Sequence, residues 1–117
     1  MPKAVPMLHV PDVPAAVAWY TSVAGFTLLA THEDDWAMLS FGESQIMFSE
    51  GGKPSDAFRR EVDLYVYIDD VDALYARLEH EVDVVEPPHD TIYGMREIIV
   101  RDLNRFWITF GQAIETS

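Results

Sequence analysis

The stretch Val62–Val71, VDLYVYIDDV, decides the fold, because two kinds of side chain alternate along it up to the start of a helix. Such alternation is typical of a β-strand with two unlike faces. One face is aliphatic and suits a protein core, whereas the other needs solvent or a binding partner. The aliphatic face carries Val62, Leu64, Val66 and Ile68, and the other carries Asp63, Tyr65 and Tyr67.

A helix follows this strand, and the pair occurs twice in the chain. Asp70 is a suitable N-cap, and apolar residues follow it at the spacing of one helical face, namely Val71, Leu74, Tyr75 and Leu78. The same pattern stands 58 residues earlier, where Asp12 precedes Val13, Ala16, Val17 and Tyr20. The chain is therefore predicted to contain an internal repeat.

Three short strands are predicted after each helix. They are FTLLATH, WAMLSF and QIMFS in the first copy, and VDVVE, REIIV and FWITF in the second. This order predicts an α+β fold of two βαβββ modules, at about residues 4–50 and 61–112, within one domain spanning residues 1–117. The Gly-, Pro- and charge-rich stretch at about residues 51–60 would link them.

Charge and composition exclude several classes of function. The chain has 8 Lys and Arg against 20 Asp and Glu, and its net charge of −12 repels nucleic acid and anionic membranes but attracts cations. It contains no cysteine, so disulfide and thiolate chemistry are excluded. Its N-terminal residues contain neither a signal-peptide core nor a spanning segment, which predicts a cytoplasmic protein.

The sheet face opposite each helix is the candidate binding surface, because one helix covers only one face of a four-stranded sheet. The alternation puts aromatic and methionine side chains there with a few polar groups, the usual composition of a small-molecule site. Tyr93 would lie at its lip, where its ring could stack on a flat ligand. The predicted ligand-binding residues are His9, Trp36, Met38, Met47, Asp63, Tyr65, Tyr67, Tyr93, Glu97, Trp107 and Thr109.

The alternative for this face is a dimer core or a second hydrophobic core, since tyrosine and methionine at strand spacing often serve packing. Asp63 argues against a dry core, because an unpaired buried carboxylate costs on the order of several kcal/mol. We therefore expect Asp63 to be solvated, paired with an arginine, or in contact with a ligand.

Two segments of the chain resemble a known superfamily. VPMLHVPDVPAAVAWYTSVAGF resembles the opening of the vicinal oxygen chelate superfamily, which includes glyoxalases, extradiol dioxygenases and bleomycin-resistance proteins. YVYIDDVDALYARL, with EPPHDTIYGMREIIVRDLNRFWITFGQ, resembles the second module of its bleomycin-resistance branch. The resemblance spans about residues 5–112 and implies a cupped mixed sheet, usually built across a homodimer. Pro6 suits an edge strand or an exchanged segment, so we expect the N-terminal strand to be exchanged between subunits.

The resemblance also bears on metal binding. Metal-dependent members carry His, Gln or Glu at four inward positions, which correspond here to Val5, Met47, Asp63 and Thr109. Only Asp63 could be a competent ligand, whereas such metals need three or more N or O donors. The resemblance therefore implies no metal, no cofactor and no catalytic residue. It implies a bleomycin-resistance-type protein that sequesters a flat or cationic small molecule.

Two other functions remain open. One is a metal-dependent lyase, isomerase or dioxygenase of the same superfamily, with its ligands relocated to His9, Asp63 and Glu97. The other is a structural or interaction domain with a filled inner face.

Three expectations concern the second half of the chain. Pro87 and Pro88 predict a loop, which would place His89 in a turn rather than in a site. Arg96 should point to the face opposite Glu97, because the two residues are adjacent on a strand. The turn Asp102–Arg105, DLNR, stands where the family commonly has Asp-Pro-Asp-Gly, and the missing glycine implies a different turn conformation.

Overall fold

A computed structural model describes residues 4–52 and 62–114 of the chain. The chain divides into two compact units, Met1–Ser55 and Asp56–Ser117, and each is described by itself. Most of the predicted linker, from residue 53 onward, lies outside the described residues.

The first unit is a four-stranded mixed sheet with one helix. Its elements are β1 (Met7–Val10), α1 (Val13–Ser22), β2 (Thr27–His32), β3 (Trp36–Phe41) and β4 (Ser44–Glu50). The strands are ordered β1-β4-β3-β2, with β1 parallel to β4 and the other pairs antiparallel. The first strand is thus an edge strand, which suits Pro6 immediately before it.

The second unit repeats this architecture. Its elements are β5 (Asp63–Tyr67), α2 (Val71–Leu78), β6 (Asp83–Asp90), β7 (Met95–Arg101) and β8 (Trp107–Ala113). The strand order is β5-β8-β7-β6, and β5 is parallel to β8. The predicted pair of βαβββ units, and with it the α+β fold class, is confirmed.

Both helices begin where the sequence predicts. The Asp12 Oδ1 accepts a hydrogen bond from the Ala15 backbone N–H, and the Asp70 Oδ1 accepts one from Ala73, each at 3.0 Å. Helix α2 has an additional cap, because the Gln112 side-chain oxygen accepts the Val71 N–H. Neither helix in the described part of the chain has the length and apolar character that a membrane crossing requires.

The aliphatic strand faces form the two cores beneath the helices. In the first unit, the Tyr20 ring of α1 lies 5.3 Å from the Phe26 ring and 4.8 Å from the Phe48 ring, measured between centroids. In the second unit, Val71 and Leu78 of α2 are buried. The buried strand residues around them include Ile98, Val100, Ile108 and Phe110. Their burial follows the period of two that the sequence displays.

The predicted loop at Pro87 and Pro88 is wrong. Strand β6 continues through both prolines to Asp90, with register shifts between Val84 and Glu86 and between Glu86 and His89. Since β6 is an edge strand, the missing N–H groups of the prolines need not leave a neighbour unpaired. A bulged edge strand therefore accommodates Pro87 and Pro88, which would interrupt the hydrogen bonding of a central strand.

The turn before β8 also differs from expectation. Arg105 has φ 70°, which is the left-handed conformation that a glycine favours. The turn therefore keeps this conformation although an arginine stands where the family commonly has glycine. The buried Asp102 supports it, because its Oδ1 accepts the N–H groups of Asn104 at 2.7 Å and Phe106 at 2.9 Å. Arg105 thus carries backbone strain that the surrounding hydrogen bonds hold in place.

Replacing Arg105 by glycine should relieve this strain. We expect Arg105→Gly to raise the free energy of unfolding by about 0.5–1 kcal/mol, since the left-handed penalty exceeds the entropy that glycine adds to the unfolded chain. Urea unfolding measures the change. Arg105→Ala is the matched control, because it removes the side chain but keeps the strained backbone. A glycine variant no more stable than the alanine variant would contradict the expectation.

Candidate functional site

In the second unit, the sheet face opposite α2 carries three rows of cross-strand neighbours. We call this surface the open face. Across strands β5, β8, β7 and β6, the rows are Asp63, Trp107, Arg101 and Asp83; Tyr65, Thr109, Ile99 and Glu86; and Tyr67, Gly111, Glu97 and His89. The predicted face assignments of Asp63, Tyr65, Tyr67, Glu97, Trp107 and Thr109 are confirmed, while their role in ligand binding stays a prediction.

A buried carboxylate occupies the middle of this face. Glu97 is only 3% exposed, and its Oε2 accepts hydrogen bonds from the Tyr65 hydroxyl at 2.7 Å and the Tyr93 hydroxyl at 2.8 Å. Two phenol donors on one oxygen offset much of the cost of removing the carboxylate from water. The structure thus brings three predicted site residues into one hydrogen-bonded cluster.

His89 lies beside the other oxygen of this carboxylate. Its Nε2 is 3.9 Å from the Glu97 Oε1, and its Nδ1 is 2.8 Å from the Pro87 carbonyl oxygen. A carbonyl can only accept, so Nδ1 must carry the hydrogen in this contact. Sequence reasoning missed His89 because it read the two prolines as a loop; an edge strand that tolerates proline would have placed His89 opposite Glu97.

Gly111 makes room for this cluster. It is buried between Tyr67 and Glu97 in its row, and a Cβ added there would overlap the Tyr65 hydroxyl and ring. The Tyr65 side chain therefore packs over Gly111 and places its hydroxyl within hydrogen-bond distance of Glu97. No signal in the sequence marked this glycine, because its importance comes from a side chain on the neighbouring strand.

The cluster raises the pKa of both tyrosines. Burial of the Tyr65 hydroxyl, followed by its hydrogen bond to Glu97, raises the pKa of Tyr65 far above its usual value. Tyr65 is 42% exposed as a whole, but the hydroxyl that ionises is the part pressed against Gly111 and Glu97. The hydrogen bond to Glu97 also raises the pKa of Tyr93, because ionisation would place two negative charges together.

Large parts of these aromatic rings remain open to solvent. Tyr67 is 76% exposed and Tyr93 is 65% exposed, and the Tyr65 and Tyr67 ring centroids are 5.0 Å apart. The open face therefore combines one buried acceptor with exposed aromatic surface.

Asp63 and Trp107 are direct neighbours at the other end of the open face. Asp63 is exposed, so it does not lie in a dry core. Arg101 stands on the far side of Trp107 in the same row, and its Nε lies 2.7 Å from the Asp83 Oδ2.

The first unit groups the remaining predicted residues on the corresponding face of its own sheet. One row contains Met7, Met47, Met38 and Ala30, and the next contains His9, Ser49, Trp36 and His32. The Trp36 Nε1–H donates to the Met47 sulfur at 3.3 Å, which fixes the indole over the methionine row. This surface combines a row of methionines with a row that carries one indole and the polar side chains of His9, Ser49 and His32.

The donors present do not fit the metal site of the metal-dependent proteins that the sequence resembles. Val5 and Met47 supply no hard donor, and two residues of the alternative relocated site, Asp63 and Glu97, lie too far apart in the sheet to share one ion. Asp63 and Glu97 stand two strands and four residues apart, which separates them by roughly 16 Å at ordinary sheet spacings. Two ligands of one ion must lie within about 5 Å of each other, given metal–oxygen distances near 2–2.5 Å.

One group of potential metal donors does occur among the described residues, at a different place. Donor atoms of His32, Glu33 and Asp35 lie within 4.8 Å of one another in the hairpin between β2 and β3. Both His32 and Glu33 are exposed, and the His32 Nδ1 is 3.1 Å from the Asp35 Oδ1. This hairpin matches the solvated acidic turn that its sequence suggests.

Arg96 points away from the open face, as predicted. Its guanidinium pairs with Asp72 of α2 and with Asp90, each at 2.9 Å. These carboxylates raise the pKa of Arg96 further above its ordinary value. A groove of about 660 Å³ lies beside this ion-pair cluster, and its lining contains none of the predicted site residues; it is formed by Ile68, Asp69, Asp90, Arg96, Gln112, Ala113 and Ile114.

The chain is similar to known proteins in both sequence and fold. The model of the Glyoxalase/Bleomycin resistance protein/Dioxygenase superfamily matches residues 4–110. No curated protein matches the chain. Among solved structures, TioX from Micromonospora sp. ML1 is 28% identical with a TM-score of 0.78, covering 97% of this chain and 100% of TioX.

Two further solved structures are similar to this chain. A bleomycin-binding protein from bleomycin-producing Streptomyces verticillus, complexed with copper(II)-bleomycin, is 25% identical with a TM-score of 0.74 over 98% of both chains. Lactoylglutathione lyase from Agrobacterium tumefaciens is 20% identical with a TM-score of 0.72, covering 95% of this chain and 94% of the lyase. The last likeness concerns the fold alone.

The tyrosine cluster predicts a distinctive alkaline titration. In Glu97→Gln, the pKa values of Tyr65 and Tyr93 should fall toward the usual value of about 10, because the negative acceptor is gone. Below about pH 10 the Tyr65 hydroxyl is protonated in both the folded and the unfolded chain. Above it the unfolded chain ionises first, so the free energy of unfolding should decrease with rising pH. Absorbance at the phenolate band measures the titration.

Controls separate the carboxylate from general effects. Glu81→Gln removes an exposed carboxylate after α2 and should leave both tyrosine titrations unchanged. Gly111→Ala should lower the pKa of Tyr65 by displacing its hydroxyl, whereas Gly42→Ala, where an added methyl group meets nothing within 4 Å, should not. Unaltered tyrosine titration in both Glu97→Gln and Gly111→Ala would contradict the described cluster.

Proposed function

The chain belongs to the Glyoxalase/Bleomycin resistance protein/Dioxygenase superfamily, and from that premise we propose that it is a metal-free small-molecule binding protein. It would hold a flat or cationic ligand against aromatic side chains and neutralise it by sequestration, without chemical change. This is the bleomycin-resistance type of function, and antibiotic resistance is its expected role.

The observation that carries the proposal is the buried Glu97 carboxylate among exposed tyrosine rings. A binding surface of this type uses aromatic area for affinity and a fixed polar group for orientation. Tyr65, Tyr67 and Tyr93 all keep exposed ring surface, which a filled inner face would not leave. The net charge of −12 favours a cationic ligand over an anionic one.

The donor chemistry at the metal positions supports binding over metal-dependent catalysis. Valine and methionine stand where hard ligands would be needed, and Asp63 is too distant from Glu97 to share an ion with it. The likeness to a bleomycin-binding protein at 25% identity supports a small-molecule ligand and suggests bleomycin as the first probe.

Titration with bleomycin and related cationic glycopeptide antibiotics tests the proposal. We expect quenching of tryptophan fluorescence, because Trp107 lies on the same face as Glu97. Glu97→Gln should weaken binding about tenfold or more, since a lost charge-assisted hydrogen bond is worth about 1.5–3 kcal/mol. Glu81→Gln, which changes the net charge equally, is the control.

Two outcomes would count against this function. If no cationic glycopeptide antibiotic quenches the fluorescence, the resistance role is wrong. If protein purified without chelator contains a stoichiometric divalent metal by elemental analysis, the enzyme alternative is favoured instead.

We also propose that the protein is a homodimer in which β1 is exchanged between subunits. The strand is four residues long, lies at the edge of its sheet, and follows Pro6, so few hydrogen bonds would have to be exchanged. Light scattering at micromolar concentration should give twice the chain mass of 13.3 kDa. A stable monomer would contradict the dimer.

A further inference from the structure

We infer that Glu97 and His89 together bind a nitrogen that carries at least two hydrogens, and that the ligand group is a primary ammonium. The inference rests on the proposed function, because it requires that the open face of the second unit bind a ligand. It names the chemical group that this face would recognise and adds His89 to the site.

One oxygen of the Glu97 carboxylate accepts two hydrogen bonds, and the other accepts none from the described residues. Both tyrosine hydroxyls donate to Oε2, at 2.7 and 2.8 Å. Among the described residues, no hydrogen bond to Oε1 occurs, and the His89 Nε2 lies 3.9 Å from it. That separation is longer than a hydrogen bond. A carboxylate held this firmly by one oxygen presents the other in a fixed direction.

In the neutral tautomer of His89 that the Pro87 contact selects, the Nε2 atom, which faces Glu97, is a second hydrogen-bond acceptor. The Pro87 carbonyl lies 2.8 Å from Nδ1, so the hydrogen of the neutral ring is on Nδ1 and Nε2 carries a lone pair. Two acceptors therefore face each other across 3.9 Å. A donor placed between them would satisfy both atoms.

Geometry selects the kind of donor. For a donor atom about 2.9 Å from both acceptors, the acceptor–donor–acceptor angle is about 85°. This angle is close enough to the angle between two N–H bonds for both hydrogen bonds to be near-linear. A hydroxyl has one hydrogen and can serve only one of the acceptors, whereas an NH₃⁺ or NH₂ group serves both. The negative charge of Glu97 favours the ammonium.

No neighbouring cation competes for Glu97 within the second unit's described residues. Arg96 points to the opposite face and pairs with Asp72 and Asp90. Arg101 lies two rows away on the open face, beside Asp83. His89, the neighbour of Glu97 on β6, has a side chain that is 35% exposed, and the Tyr93 ring, which is 65% exposed, is anchored to the same carboxylate.

The exposed rings indicate what the ammonium is attached to. An aromatic or flat apolar group on the same ligand could lie against the exposed Tyr93 ring while the ammonium reaches Glu97. A quaternary ammonium could contact the rings by cation–π attraction, but it has no hydrogen to donate. This difference separates recognition by hydrogen bonds from recognition by charge alone.

A matched pair of probes tests the inference on the unmodified protein. Calorimetric titration compares 2-naphthylmethylammonium with its N,N,N-trimethyl analogue, which has the same ring and the same charge. We expect the primary ammonium to bind at least about tenfold more tightly, the value of one charge-assisted hydrogen bond. Glu97→Gln and His89→Phe should each reduce this preference, whereas Glu81→Gln should leave it unchanged.

Nitrogen NMR of His89 provides a second measurement that needs no variant. In the free protein at neutral pH, we expect hydrogen on Nδ1 only, and binding of the primary ammonium should shift the Nε2 resonance. A ring with hydrogen on both nitrogens would mean that His89 and Glu97 form a closed ion pair, and the inference would be wrong.

Failure of the inference can be told from failure of the proposed function. Equal binding of the two probes, or tighter binding of the trimethyl compound, would overturn the ammonium site while leaving a binding protein with an aromatic surface. If neither probe binds, the ammonium site is also wrong, and the glycopeptide titration decides the proposed function independently.

Discussion

The structure depends on a simple imbalance: each four-stranded sheet has two faces and only one helix to cover them. The aliphatic face packs under the helix and supplies the hydrophobic stabilisation of the unit. The opposite face is then free of the requirement for continuous apolar contact. Polar and aromatic groups can be placed on it at little expense to the core, and this is where both units carry their unusual residues.

In the second unit, the open face is organised by one carboxylate. A buried Glu97 would be costly alone, but two tyrosine hydroxyls satisfy one of its oxygens and hold its direction. Gly111 is part of this arrangement, because only a residue without a Cβ lets Tyr65 cross to Glu97. Strands β5 and β7 thus supply Tyr65 and Glu97 of the hydrogen-bonded cluster, and β8 supplies the glycine that makes room for it.

The contrast with metal-dependent relatives has the same physical origin. The scaffold offers inward positions on neighbouring strands, and their side chains decide what can be held there. In this chain Val5 and Met47 supply apolar surface at two of those positions, and the Glu97 carboxylate lies elsewhere on the sheet from Asp63. A change of binding chemistry therefore requires no change of fold.

The faces of the alternating strands, the helix starts and the repeat could all be derived from the sequence, because each depends on local periodicity. Asp12 and Asp70 act within one helical turn, and the alternation in β5 assigns its faces without knowledge of any partner strand. The same local reasoning failed at Pro87 and Pro88. Whether a proline breaks a strand depends on whether that strand lies at an edge, which is a property of the assembled sheet.

Only the tertiary structure decided how the site residues meet. Tyr65 lies 32 residues before Glu97, and strand order brings the two together, whereas His89 reaches Glu97 through the register of the β6–β7 hairpin. The bulges of β6 set the pairing of His89 with Glu97, and register likewise separates Asp63 from Glu97 beyond the reach of a shared ion. The sequence by itself determined which face the side chains occupy in the regularly alternating strands. Cross-strand neighbours are set by hydrogen-bonded pairing between distant segments, and a single strand's periodicity carries no information about that pairing.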